Sequence, residues 1–121
     1  MGVLPAVFSH LSEPLCDEMV PTRDLQERKQ YMIEHGDVFV VLPGGIGTLD
    51  EWISTICIMC IGNDDHRPII VADLDGMFDS MVTQLDVLYH SPFGRGKDLN
   101  RSIVARTPTE FLATLSTLKN N

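Results

Sequence analysis

The chain has 121 residues, the length of one domain, and 17 acidic against 9 basic side chains give it a net charge of -8. That balance repels a nucleic-acid backbone, which proteins grip by neutralising phosphates with Lys and Arg, and no local basic patch offsets it, which argues against DNA or RNA as a partner. An apolar content of 44% beside 21% charged residues suits a packed core rather than a disordered acidic tail. The longest apolar runs, Val38 to Leu42 and Ile56 to Ile61, fall far short of the roughly 20 residues that cross a bilayer, so no membrane span is expected.

The start Met1-Gly2-Val3-Leu4-Pro5-Ala6 has no basic leader, and Ala6 stands where a myristoylation signal wants Ser or Thr. No targeting segment is read there. Three cysteines make no disulfide framework, which points to a reducing cytoplasmic compartment. Cys57 and Cys60 form a C-x-x-C, but they sit in a helical pattern and lack the second pair of a zinc site, so packing is the expected role and no metal is predicted.

In chain order, Gly2 to Phe8 is a possible first strand, and Leu25 to His35 reads as a helix capped by Asp24, with Glu27 three residues on and Gly36 as its stop. Val38 to Leu42 is a buried strand. A second helix begins near Thr48, with Leu49, Trp52, Ile53, Ile56, Cys57 and Cys60 at core spacing and Ile58, Met59 and Ile61 on its flanks. Grease over so much of its circumference predicts a subunit interface, hence a homodimer. Pro68 to Ala72 is the next strand. After an Asp75-Gly76 turn, a third helix carries Met77, Phe78, Met81, Val82, Leu85, Leu88 and Tyr89 on one side. Ser91 to Asn100 is a loop and Ser102 to Arg106 a strand. A fourth helix opens with the capping box Thr107-Pro108-Thr109-Glu110 and buries Phe111, Leu112, Leu115 and Leu118. Alternating strands and helices predict an α/β fold, a Rossmann-like three-layer domain over 1–121 with a mostly parallel sheet.

The chemistry concentrates in Pro43-Gly44-Gly45-Ile46-Gly47-Thr48-Leu49-Asp50-Glu51. A strand entering a glycine-rich turn that opens a helix can aim several backbone N–H groups at one anion, with phosphate the natural guest. The competing reading is a tight turn that needs positive φ at glycine. Thr48 and Glu51 also fit a capping box, in which Glu51 reaches back to an amide and does no chemistry. A carboxylate in the first turn would repel an anion unless it faced another part of the ligand, such as a sugar hydroxyl. On the first helix Leu25, Arg28 and Met32 share one stripe, which turns Arg28 inward. An inward guanidinium calls for an anion, either a ligand phosphate or Glu51, unless it snorkels to solvent.

Arg28-Lys29 together with Pro43-Gly44-Gly45-Ile46-Gly47-Thr48-Leu49-Asp50-Glu51 resembles the paired signature R-K and P-G-G-x-G-T-x-x-E of the LONELY GUY family, the cytokinin riboside 5'-monophosphate phosphoribohydrolases, often labelled lysine decarboxylase-like. Gly2-Val3-Leu4-Pro5, Asp75-Gly76 and Thr107-Pro108 are similar to other segments of that family. The resemblance implies hydrolysis of the N-glycosidic bond of a nucleoside 5'-monophosphate, of cytokinin riboside or adenosine type, without a cofactor. It implies Arg28 and Glu51 as the catalytic pair, and Lys29, Gly44, Gly45, Ile46, Gly47, Thr48 and Asp50 as substrate contacts, with Glu13 as a further one. It also implies dimers with the pocket near the interface. The chemistry of those residue types agrees: a carboxylate can stabilise an oxocarbenium-like sugar and orient water, while an arginine fixes the phosphate or the departing group.

Family members carry a glycine-rich βα unit before the segment that resembles Gly2-Val3-Leu4-Pro5, so the resemblance implies that this chain lacks the first strands and one wall of the nucleotide crevice. A fragment, a mis-started gene and a natural short form all fit. Rival readings are a non-hydrolysing binder, like the related carriers of molybdenum cofactor that share the glycine turn, and an inactive remnant. Decarboxylation of lysine is rejected: pyridoxal phosphate needs a Schiff-base lysine in its own pocket, and among Lys29, Lys97 and Lys119 the first already belongs to the phosphate motif.

Overall fold

The computed structural model describes residues 2–5, as backbone, and 19–61, 65–94 and 102–119. The chain divides into two compact units, Met1–Gly36 and Asp37–Asn121.

In the first unit β1 (Gly2–Pro5) pairs in parallel with β2 (Met19–Thr22). The second of these strands is absent from the sequence reading, because Pro21 breaks a run already only four residues long. Helix α1 (Leu25–His35) follows as expected: the Asp24 carboxylate accepts from the Glu27 amide at 2.9 Å, and the Gly36 amide donates to the Met32 carbonyl at 3.0 Å. Such a cap contributes about 0.5–2 kcal/mol. Gly36 itself is extended, with φ -80°, so its role as a stop owes nothing to a left-handed conformation. The expected inward stripe of α1 is corrected here: Leu25 is 58% exposed and Ile33 is the buried residue, with Arg28, Lys29 and Met32 half-buried between those limits.

The second unit holds a three-stranded parallel sheet in the order β3 (Phe39–Val41), β4 (Ile69–Ala72), β5 (Ser102–Ala105). All four residues of β4 are buried, as befits a central strand shielded on both faces. On one face Val41, Ile69 and Val71 meet Trp52, Ile56 and Met59 of α2 (Ile46–Ile61) and Phe78, with Met81, Val82 and Leu85 of α3 (Asp79–His90) packed alongside. Each large apolar side chain so buried is worth ~1.5–3 kcal/mol. Ile70, Ala72 and Ala105, at alternate positions of β4 and β5, are buried as well, and α4 (Pro108–Lys119) lies against both strands. Strand alternates with helix as an α/β, Rossmann-like fold demands.

Two helix faces differ from expectation. In α2 the buried residues are Trp52, Thr55, Ile56 and Met59, while Cys57 is exposed, so the core stripe is rotated toward the side first assigned to the flank. Thr55 is tolerated there because its hydroxyl donates to the Glu51 carbonyl at 2.6 Å. In α3 and α4 no residue is fully buried, and Leu112, Met77 and Leu88 are exposed. The capping box at α4 forms in altered form: Thr107 accepts from the Glu110 amide, but the Glu110 carboxylate accepts from the amide of Arg106, one residue before the cap.

Candidate functional site

The three strands of the second unit are parallel, so the segments that follow them emerge at one end of the sheet: the Gly44 turn after β3, Asp73 after β4 and Arg106 after β5. Ligands of open parallel sheets bind outside this carboxyl end.

Helix α2 begins at Ile46, two residues earlier than the sequence predicts, with its first turn bond running from the Leu49 amide to the Gly45 carbonyl at 3.3 Å. The backbone N–H groups of Ile46, Gly47 and Thr48 therefore precede the helical hydrogen-bond ladder and carry the positive end of the helix dipole. Thr48 lies inside the helix, so the Thr48–Glu51 capping box is displaced by the true start. Glu51 is not in the first turn, which contains no acidic residue. At a rise of ~1.5 Å per residue its Cα stands about 7.5 Å along the axis from that of Ile46. The anticipated repulsion between Glu51 and an anion at the helix start is thereby reduced.

Positive φ explains none of the three motif glycines, and close packing explains Gly44. None of Gly44, Gly45 and Gly47 has positive φ; Gly76, at +80°, does. A Cβ at Gly44 would collide with the Thr48 hydroxyl, whereas a Cβ at Gly45 or Gly47 would meet nothing within 4 Å. The space beside Gly45 and Gly47 is therefore open at the start of α2. Ile46 projects between them, 83% exposed. Asp50 is exposed and accepts from the Ser54 hydroxyl at 3.4 Å, and Glu51 is half-buried.

Of the residues singled out in the sequence, Gly44, Gly45, Ile46, Gly47, Thr48, Asp50 and Glu51 come together on this one strand–helix junction. Arg28 and Lys29 are neighbours on α1 of the first unit. Glu13 lies outside the described residues. Cys57 and Cys60 are free thiols, and among the described residues no group of His, Cys, Asp and Glu is arranged to hold a metal ion. No helix among the described residues is long and apolar enough to cross a membrane.

A second cluster at the same end of the sheet escaped the sequence reading. The Asp73 carboxylate, fully buried, accepts from the Phe78 amide at 3.0 Å and from Arg106 Nη1 at 3.1 Å, and the same Nη1 donates to Asp79 at 2.6 Å. Burial pushes the Asp73 carboxyl above the ordinary carboxylate range, with Asp79 adding to the shift and the Phe78 amide and Arg106 opposing it. Hydrogen bonds from Asp73 and Arg106 hold Asp79 below that range. The signal was an acidic residue directly after the wholly apolar run Ile69-Ile70-Val71-Ala72.

Known proteins resemble the chain over most of its length. It is 35% identical over 106 residues to the cytokinin riboside 5'-monophosphate phosphoribohydrolase of Mycobacterium tuberculosis, covering 86% of this chain and 56% of that protein. It is 26% identical over 121 residues to a protein of the same name from Arabidopsis thaliana, covering 98% of this chain and 53% of the relative. A probable enzyme of that name from Oryza sativa subsp. japonica is 28% identical over 117 residues, 95% of this chain and 48% of its own length. The chain thus spans about half the length of the relatives it matches. The family model described as possible lysine decarboxylase matches residues 1–115, and the chain belongs to that family, the LONELY GUY family.

Proposed function

We propose that the chain carries the nucleotide-gripping half of a nucleoside 5'-monophosphate phosphoribohydrolase, which cleaves the N-glycosidic bond of a cytokinin riboside or adenosine monophosphate to free base and ribose 5-phosphate. The observation that carries this reading is the start of α2: the amides of Ile46, Gly47 and Thr48 precede the helical ladder, the Cβ positions of Gly45 and Gly47 face open space, and Glu51, half-buried, stands beyond the first turn of the same helix. Phosphate on the amides fixes one end of the substrate. Glu51 then stabilises positive charge at the sugar carbon as the base departs and orients the water that attacks it. Arg28 and Lys29 supply cations for the phosphate or the departing base, with the Arg28 guanidinium suited to a bidentate grip. Ile46, Thr48, Asp50 and Glu13 complete the substrate contacts in this reading. A reducing cytosol suits the free thiols Cys57 and Cys60.

A homodimer belongs to the same reading. Beyond Glu51 the α2 helix carries no charged residue, and Cys57, Ile58 and Ile61 remain exposed on it. A second copy of the chain would cover that apolar surface.

The deciding measurement is chromatographic release of free base and ribose 5-phosphate from adenosine monophosphate and from a cytokinin riboside monophosphate. Release of both products supports the reading. Nucleotide bound without conversion would overturn it in favour of a binding protein.

A further inference from the structure

We propose that Asp73 is a positioning residue for the amino-terminal turns of α2, acting through Phe78 and Trp52. Asp73 is itself fixed by the sheet, since its amide donates to the Ala105 carbonyl at 2.9 Å. Its buried carboxylate holds the Phe78 amide at 3.0 Å, and Phe78, buried at the start of α3, sets its ring edge-on to Trp52 with centroids 5.6 Å apart and planes at 74°. The other end of the indole is held as well: Nε1 donates to the Ser102 hydroxyl on β5 at 3.1 Å. Gripped at both ends, the indole fixes the rotation and axial position of α2.

Trp52 is the residue after Glu51 and four after Thr48, one helical turn above it on the same face. A shift of the indole moves both. Arg106 and Asp79 complete the anchor, the guanidinium bridging the buried acid to the first residue of α3. Asp79 is also packed over the Asp75-Gly76 turn, where a Cβ on Gly76 would lie 2.9 Å from its carboxylate. The loop 73–79 is therefore a rigid strut between the carboxyl end of β4 and the indole.

The kinetic part of this inference rests on the phosphoribohydrolase reading, and its structural part does not. Trp52 is the sole tryptophan of the chain, so its emission reports the strut directly. Asp73→Ala and Asp73→Asn would be compared in the full chain by Trp52 emission, by backbone amide resonances of residues 45–51, and by kcat and KM for base release from adenosine monophosphate. Asp73→Ala is expected to shift the emission, move the 45–51 resonances and lower kcat at least tenfold, with KM changed less than threefold. Asp73→Asn keeps an acceptor for the Phe78 amide and is expected to restore all three. If Asp73→Ala does not fold, Phe78→Leu removes the ring edge while keeping apolar bulk, and the same shifts are expected. Folded Asp73→Ala or Phe78→Leu with unchanged emission and unchanged 45–51 resonances would overturn the proposal. A wild-type chain that releases no base would defeat the phosphoribohydrolase reading alone, because emission and resonances still decide the positioning role.

Discussion

Thr48 stands over Gly44 so closely that a single methyl group on the glycine would run into its hydroxyl, whereas Gly47, one residue before Thr48, faces open space. Glycines of one motif therefore answer to different constraints. Gly44→Ala is expected to destabilise the fold by about 1–3 kcal/mol through overpacking, a cost partly relieved by adding Thr48→Ala. Gly47→Ala is expected to stabilise α2 by ~0.5–1 kcal/mol, since alanine is the better helix former, yet to weaken binding of nucleoside monophosphate by covering the amides. Urea denaturation and calorimetric titration with adenosine monophosphate check both arms.

Replacing Arg28 or Glu51 by Ala tests chemistry against capping. Because Glu51 lies beyond the first turn of α2, its loss removes no cap, and stability should change by less than ~2 kcal/mol. Turnover, in contrast, should fall by about 10²-fold or more if these groups act on the transition state. Thermal melts beside steady-state rates separate the two: large equal destabilisation with unaltered activity per folded molecule would assign both residues to structure.

The Asp73 cluster gives a pH dependence with a definite sign. The carboxyl of Asp73 binds its proton more tightly in the folded chain than in the unfolded one, so its contribution favours the fold at low pH and is lost as pH rises past the ordinary carboxylate range. Asp79, shifted the other way, contributes stability above that range and loses it as pH falls through its lowered value. Asp73→Asn keeps an acceptor for the Phe78 amide without the buried charge. Its melting temperature should therefore gain on the wild type as pH rises above the ordinary carboxylate range, about pH 4, measured by calorimetry across a pH series.

The exposed apolar end of α2 predicts association. Ile61 is 74% exposed and Ile58 44%, and a charge there should disfavour a second copy without touching the core. Sedimentation at micromolar concentration is expected to show dimer for the wild type and monomer for Ile61→Glu. A monomeric wild type would remove the dimer from the reading.

Local signals in the sequence determined the elements themselves: Asp24 and Gly36 at the ends of α1, Thr107 and Pro108 at the start of α4, and the apolar runs that became β3, β4 and β5. Caps and short apolar strands are legible because their causes lie within a few residues of chain, although only β4 is buried throughout, with Val40 in β3, Leu42 after it and Ile103 in β5 exposed. Tertiary structure decided which side of each helix is covered, since Met59 is buried where α2 meets Val41, Ile69 and Val71, and periodicity cannot rank neighbouring stripes of an almost wholly apolar helix. It also decided that α2 starts at Ile46, which takes Glu51 out of the first turn and leaves the amides of Ile46, Gly47 and Thr48 ahead of the helical ladder. The Asp73–Arg106 pair joins residues 33 apart in sequence. The acid after an apolar run is a local signal, but its pairing becomes visible only when two parallel strands end side by side.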